Sequence, residues 1–172
     1  MPETPQQYTK RILSHSAGKD ALKTQQATPA KLAALTRRLK KSQLMKRPAP
    51  GKWSIAEILA HLADAELVVG FRVRLTLGAN GTPIQAFDQD VWATTFNYAR
   101  RDPKTSLETF RLLRENNLRL LKLVPRSLWD NYGMHEERGR ESVDHLVRMM
   151  AGHDLNHMQQ VEQIVKGMRK AR

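Results

Sequence analysis

The 172-residue chain contains no cysteine. That excludes a disulfide scaffold, a cysteine nucleophile and any thiolate metal site. Aromatic residues make up only 6%, and none stands between Tyr8 and Trp53. No apolar run approaches the roughly 20 residues that a membrane span needs. The opening residues, Met-Pro-Glu-Thr-Pro-Gln-Gln, lack the apolar core of a secretory leader. These absences lead to the expectation of a cytoplasmic protein with no membrane partner. Acidic residues are also scarce: 17 face 29 Lys and Arg, for a formal net charge of +12. The length is that of one ordinary domain, and 40% hydrophobic residues suffice for a packed core.

The basic excess is uneven. Residues 1–50 carry eleven Lys and Arg against Glu3 and Asp20. The excess clusters at Lys31, Arg37, Arg38, Lys40, Lys41, Lys46 and Arg47. Such a patch can neutralise phosphates, or can simply be a solvated helix face. Single-strand binding adds stacking aromatics to charge, and this segment has none. A basic nucleic-acid-binding bundle, with a structural or vestigial metal site, is therefore the alternative reading rather than the first.

Helical spacing dominates the chain. Thr4–His15 reads as a short helix that ends near Gly18. Thr28-Pro29 looks like a start signal, a Thr cap with Pro in the first turn, for a helix from Ala30 to about Leu44. Pro48-Ala49-Pro50-Gly51 breaks the chain. Ser54-Ile55-Ala56-Glu57 fits a capping box, with Trp53 and Ile58 placed as a hydrophobic staple, for a helix to about Leu77. A loop and a short helix near Val91–Tyr98 follow. Asp102-Pro103 opens a helix that stops before Pro125, and Ser127–Tyr132 reads as a helical turn. His135–Arg140 reads as an exposed polar connection, and the last helix runs from about Glu141 to Arg169. No run alternates in the manner of a strand. Four long apolar stripes are buried most simply in a four-helix bundle. The expected fold is thus all-α: one domain over 1–172, a four-helix bundle over 28–172 with short extra helices, and an N-terminal helical extension over 1–27.

Six histidines are present, at 15, 61, 135, 145, 153 and 157. His153 and His157 stand i and i+4 on one helix, so their rings lie one turn apart on one face and can reach one ion. They can equally be a core histidine and a surface neighbour. His61 lies beside the apolar stripe of its own helix, and a bundle can bring it to the pair. Three imidazoles with an open fourth position are the pattern of a catalytic metal site. His145 is too far along the axis to share that ion, roughly 12 Å away. His15 and His135 read as surface residues. The pattern His153-Asp154-Leu155-Asn156-His157 is a poor zincin match, because Asp154 stands where the general base would be Glu. Asp154 can instead support a ligand from behind or pair with a core Arg. Glu66, on the apolar stripe, needs an Arg or backbone partner. Asp64, three residues after His61, can orient it or lie exposed. Asp88 and Asp90 can reach the open end of the bundle, or cap the next helix. Phe87, Trp92 and Tyr98 either line a substrate mouth or pack in the core. No catalytic residue can be named.

Two segments together resemble the DinB-like family, a DinB/YfiT-type group of metal-dependent enzymes. The first is Gly51-Lys52-Trp53-Ser54-Ile55-Ala56-Glu57-Ile58-Leu59-Ala60-His61-Leu62-Ala63-Asp64-Ala65-Glu66. The second is Gly152-His153-Asp154-Leu155-Asn156-His157-Met158-Gln159-Gln160. The resemblance covers about Thr28 to Lys166. It implies a bundle of up-down-down-up type, commonly a homodimer. It also implies a divalent metal, zinc or nickel most often, held by His61, His153 and His157. Members that use a low-molecular-weight thiol as transferases or isomerases imply a small-molecule substrate and such a thiol as cosubstrate. The function expected is therefore a metal-dependent enzyme, a thiol-dependent transferase or a hydrolase, that activates water or a thiol.

Overall fold

A computed structural model of the chain describes residues 3–170. Seven α-helices are present among them: α1 (Pro5–Ser16), α2 (Ala21–Thr36), α3 (Lys41–Met45), α4 (Ile55–Gly78), α5 (Gln89–Thr95), α6 (Pro103–Leu123) and α7 (Val143–Lys170). Short 3-10 turns cover Tyr98–Arg100 and Arg126–Asp130. Helices α2, α4, α6 and α7 pack around one core as the four-helix bundle, and α1 lies along α7. No described helix is long and apolar enough to cross a membrane.

Helix α2 begins earlier than the Thr28-Pro29 signal suggests. Asp20 caps it, its carboxylate accepting from Lys23 N–H at 3.0 Å, and Pro29 lies inside the helix. Proline supplies no N–H to the carbonyl four residues back. That carbonyl, of Gln25, accepts instead from Arg114 Nη1 at 2.9 Å. A long-range donor thus replaces the local one, and the helix continues through the proline.

The core has two apolar clusters. One gathers Leu32, Ile58, Leu62, Phe110 and Val161, and the other Val73, Leu121, Trp129 and Val147. Along α4, α6 and α7 a charged residue falls between the two: Glu66, Arg114 and Asp154. Arg114 donates to Glu66 at 2.8 Å and to the two Asp154 oxygens at 2.5 and 2.9 Å. All three are at most 3% exposed. Burial opposes the Arg114 charge, but the Asp154 and Glu66 carboxylates outweigh it and hold the pKa above its ordinary value.

A small sheet joins the bundle where α4 ends and α7 begins. Strand β1 (Thr82–Ile84) runs parallel to β2 (Tyr132–His135), which pairs antiparallel with β3 (Gly139–Ser142). The segment 135–140, expected as an exposed connection, is therefore a hairpin. His135, expected at the surface, is 3% exposed opposite Ile84 in the ladder. Strands of three and four residues are too short to show alternation in a sequence.

Candidate metal centre

The centre is assembled by one cap and one helical repeat. Ser54 Oγ accepts from Glu57 N–H at 3.2 Å, and Glu57 Oε2 accepts from Ser54 N–H at 2.8 Å. This reciprocal pair fixes the start of α4, two turns before His61. Arg47 Nε donates to both Glu57 oxygens at 3.0 and 3.1 Å, which ties the preceding loop to the cap. Burial would raise the Glu57 pKa, but the Arg47 and Ser54 hydrogen bonds outweigh it and lower the pKa. On α7, His153 and His157 follow each other by one turn.

The structure brings His61, His153 and His157 together through their Nε2 atoms. His61 Nε2 lies 2.9 Å from His153 Nε2, which lies 3.1 Å from His157 Nε2. No Asp, Glu or further His belongs to this cluster among the described residues. The rings are 1%, 7% and 6% exposed. Burial lowers the pKa of all three, and the mutual repulsion of the rings adds to it for His61 and His153. His157 is brought down to about 4. All three are thus neutral near pH 7, the state in which an imidazole offers a lone pair.

The donor set fits a divalent ion. Three nitrogens about 2.0–2.1 Å from a tetrahedral zinc stand roughly 3.3 Å apart. The observed spacings need only a few tenths of an ångström of relaxation. Each neutral Nε2 is either an N–H or a lone pair, so without an ion at least two of the three crowded atoms present like groups to the cluster. His157 Nδ1 is 2.8 Å from Gln160 Oε1. A carbonyl oxygen can only accept, so Nδ1 carries the proton and Nε2 is left free. The Nδ1 atoms of His61 and His153 are buried without a partner.

Trp53 covers the cluster. Its ring is 5.0 Å from that of His61 and nearly parallel to that of His157, at 6.5 Å. A cleft of about 810 Å³ opens beside it. Its walls include Trp53, Ile58, His157, Gln160 and Ile164. His157 therefore joins the buried cluster to the cleft.

The other sequence candidates lie elsewhere. Asp154 is held by Arg114, beside the cluster but outside it. Asp64 accepts from Arg101 Nη1 at 2.7 and 2.8 Å, tying α4 to the 3-10 turn at Tyr98. Asp88 caps α5, accepting from the N–H groups of Asp90 and Val91. Asp90 lines the cleft. Tyr98 is fully buried, while Phe87 and Trp92 meet in a tilted contact, ring centres 4.5 Å apart, outside the cleft lining. Gln160 closes the second segment of the family resemblance, and its position three residues after His157 puts it on the same helix face; its contact with the His157 ring is what the segment alone did not reveal. Lys46 belongs to the basic cluster visible in the sequence, but its meeting with Arg11 and Lys52 at one cleft left no local signal, because chain segments distant in sequence form the walls.

The sequence profile of the DinB superfamily matches residues 25–161. The Oceanobacillus iheyensis protein named "Putative metal-dependent hydrolase OB0413" is 27% identical over 128 residues, 72% of this chain and 71% of that protein. "Putative metal-dependent hydrolase YfiT" of Bacillus subtilis is 25% identical over 145 residues, 81% of this chain and 79% of that protein. The solved structure of Bacillus subtilis YfiT, described as a probable metal-dependent hydrolase with an unusual four-helix bundle topology, superposes with a TM-score of 0.80. That match covers 96% of this chain and 89% of the other at 19% identity, and it establishes a shared fold. The three histidines, the bundle that carries them and the profile match agree: the chain belongs to the DinB superfamily.

Proposed function

We propose that this chain is a metal-dependent enzyme whose divalent ion, zinc or nickel, is held by His61, His153 and His157. The observation that carries this reading is the convergence of three neutral Nε2 atoms beside an open cleft. Three imidazoles occupy three coordination positions and leave at least one for a reactant. An ion bound there supplies Lewis acidity, lowering the pKa of water or polarising a substrate oxygen.

The chain's own groups do the rest. Gln160 keeps the His157 proton on Nδ1, so Nε2 stays aimed at the centre. Trp53 and Ile58 exclude bulk water on one side, which strengthens every charge interaction within. Among the described residues no carboxylate enters the donor set, so three neutral ligands leave the charge of a bound ion undiminished. Hydrolysis is the reaction class that the names of the relatives support. A low-molecular-weight thiol is the other nucleophile that the same open position accommodates, and the chain has no thiol of its own to supply.

Elemental mass spectrometry of the untagged protein tests the site directly. About one equivalent of zinc or nickel is expected in the wild type, with loss in His61→Ala, His153→Ala and His157→Ala. Circular dichroism shows whether each variant keeps its helices. A wild type that takes up neither metal after reconstitution overturns the reading. Screening thiols and hydrolysable esters or amides on the loaded protein then separates thiol transfer from hydrolysis.

A further inference from the structure

The cleft beside His157 is built from two kinds of surface. Its inner walls are apolar: Trp53, Ile58, Ile164 and Met168. Its exposed rim is cationic, with Lys46, Arg47 and Lys52 from the loop before α4 and Arg11 from α1. Asp90 is the one acid of the lining among the described residues.

The cations differ in how far they are already neutralised. Arg11 donates to Glu3 through Nε and Nη2, and to Asn156 through Nη1. Arg47 is held by Glu57 through Nε and Nη2, and its Nη1 group has no hydrogen-bond partner among the described residues. Among the described residues, no carboxylate lies within ion-pair distance of Lys46 or Lys52. Elsewhere on the surface, Arg111, Arg119 and Arg148 do meet acids on their own helices. Neither rim lysine is thus tied up in an ion pair, and Asp90 is the acid that shares the cleft with them.

The segment that carries them is set in place. Pro48 and Pro50 restrict it, and Gly51 turns it at φ +70°. Lys52 N–H donates to Ala49 C=O at 3.1 Å, and the Arg47–Glu57 pair anchors the segment to the cap of α4. The same short stretch thus delivers Trp53 to the histidine cluster and Lys46, Arg47 and Lys52 to the cleft mouth. The cleft is thus lined both by His157 of the cluster and by these cations.

We propose that the substrate of this site is an anionic small molecule with an apolar body. Its carboxylate or phosphate lies against Lys46, Lys52 and the free Nη1 of Arg47. Its apolar part lies on Trp53 and Ile164, and its reacting group lies at the three histidines. The assignment rests on the metal-centre reading for the reacting end, while the anionic end is tested without any metal.

The full-length protein is titrated with naphthoate, naphthyl phosphate and neutral naphthamide. Binding is followed by the indole N–H resonance of Trp53, with zinc and after chelation. In the chelated protein at least one anionic probe is expected to bind about tenfold tighter than naphthamide, since each exposed lysine supplies a factor of a few. A gain for naphthoate alone assigns a carboxylate substrate, and a gain for naphthyl phosphate alone assigns a phosphate ester. The advantage should shrink as salt rises. It should vanish in Lys46→Gln/Lys52→Gln with zinc content unchanged, and Lys52→Glu alone should weaken the anions. Asp90→Asn should strengthen them. Equal binding of naphthamide, an anion preference that survives the double variant, or probes that leave Trp53 unmoved overturns the proposal. A wild type that takes up neither zinc nor nickel after reconstitution, with the anion preference intact in the chelated protein, rejects the metal reading and leaves the anionic end standing.

Discussion

Gln160 Oε1 lies 2.8 Å from His157 Nδ1, one turn further along the helix. This contact fixes the tautomer of the one cluster histidine that also faces the cleft. Loss of such a partner costs roughly 10–100-fold in metal affinity. Gln160→Leu should therefore bind zinc within about that range more weakly, by competition with a chelator of known affinity. Gln160→Glu accepts the same proton and should retain affinity. Equal affinity in Gln160→Leu would show that the contact is incidental.

Acidification should loosen the centre, with a defined sign. Burial, with Gln160 opposing it, holds His157 down at about 4, while an unfolded histidine titrates near 6.5. Below pH 6.5 the unfolded chain binds more protons than the folded one, so stability falls as pH falls. His61 and His153 shift in the same direction through burial and act in the same window. Urea unfolding of the chelated protein should show a plateau above pH 6.5 and a decline towards pH 4. Zinc should raise the unfolding temperature at neutral pH and lose that effect across the same window, because protons compete for the ligand nitrogens.

Arg114 satisfies two carboxylates and the Gln25 carbonyl that Pro29 leaves free. Arg114→Met should destabilise the fold by about 3–5 kcal/mol, since it strands buried charges. Arg114→Lys should fall between, because one ammonium cannot span all three acceptors. Adding Glu66→Gln and Asp154→Asn to Arg114→Met should recover part of the loss. Denaturant midpoints across the series decide the point.

Gly152 sits where α1 crosses α7. A Cβ there would stand 2.0 Å from the Ile12 carbonyl oxygen, a backbone atom that cannot rotate away. Gly152→Ala gains helix propensity of roughly 1 kcal/mol but forces the helices apart, for a net loss of about 1–2 kcal/mol. Since Tyr8 and Arg11 line the cleft from α1, the same variant should change probe binding there. Calorimetry and the Trp53 resonance report the two effects separately.

Much of this protein is written locally. The Ser54–Glu57 box, the Asp102 cap with Pro103 and the apolar stripes on α4, α6 and α7 follow from groups within a turn or two of one another. The same is true of the His153–His157 pair, which helical geometry alone places on one face. Local rules misled at Pro29, where a start signal lies inside a helix because Arg114, 85 positions further on, supplies the missing donor. They misled again at His135, whose burial depends on pairing with Ile84 from a distant strand.

Tertiary packing settled which of several local alternatives each polar residue took. Asp154 turned to Arg114, Asp64 to Arg101, and Asp88 to its own helix cap. Packing of α4 against α7 carried His61 to within 2.9 Å of His153, across 92 positions of chain. A helix repeat sets the direction of a side chain but not which helix stands opposite it. The opposite helix is chosen by the burial of whole apolar faces, and that depends on every stripe in the bundle at once.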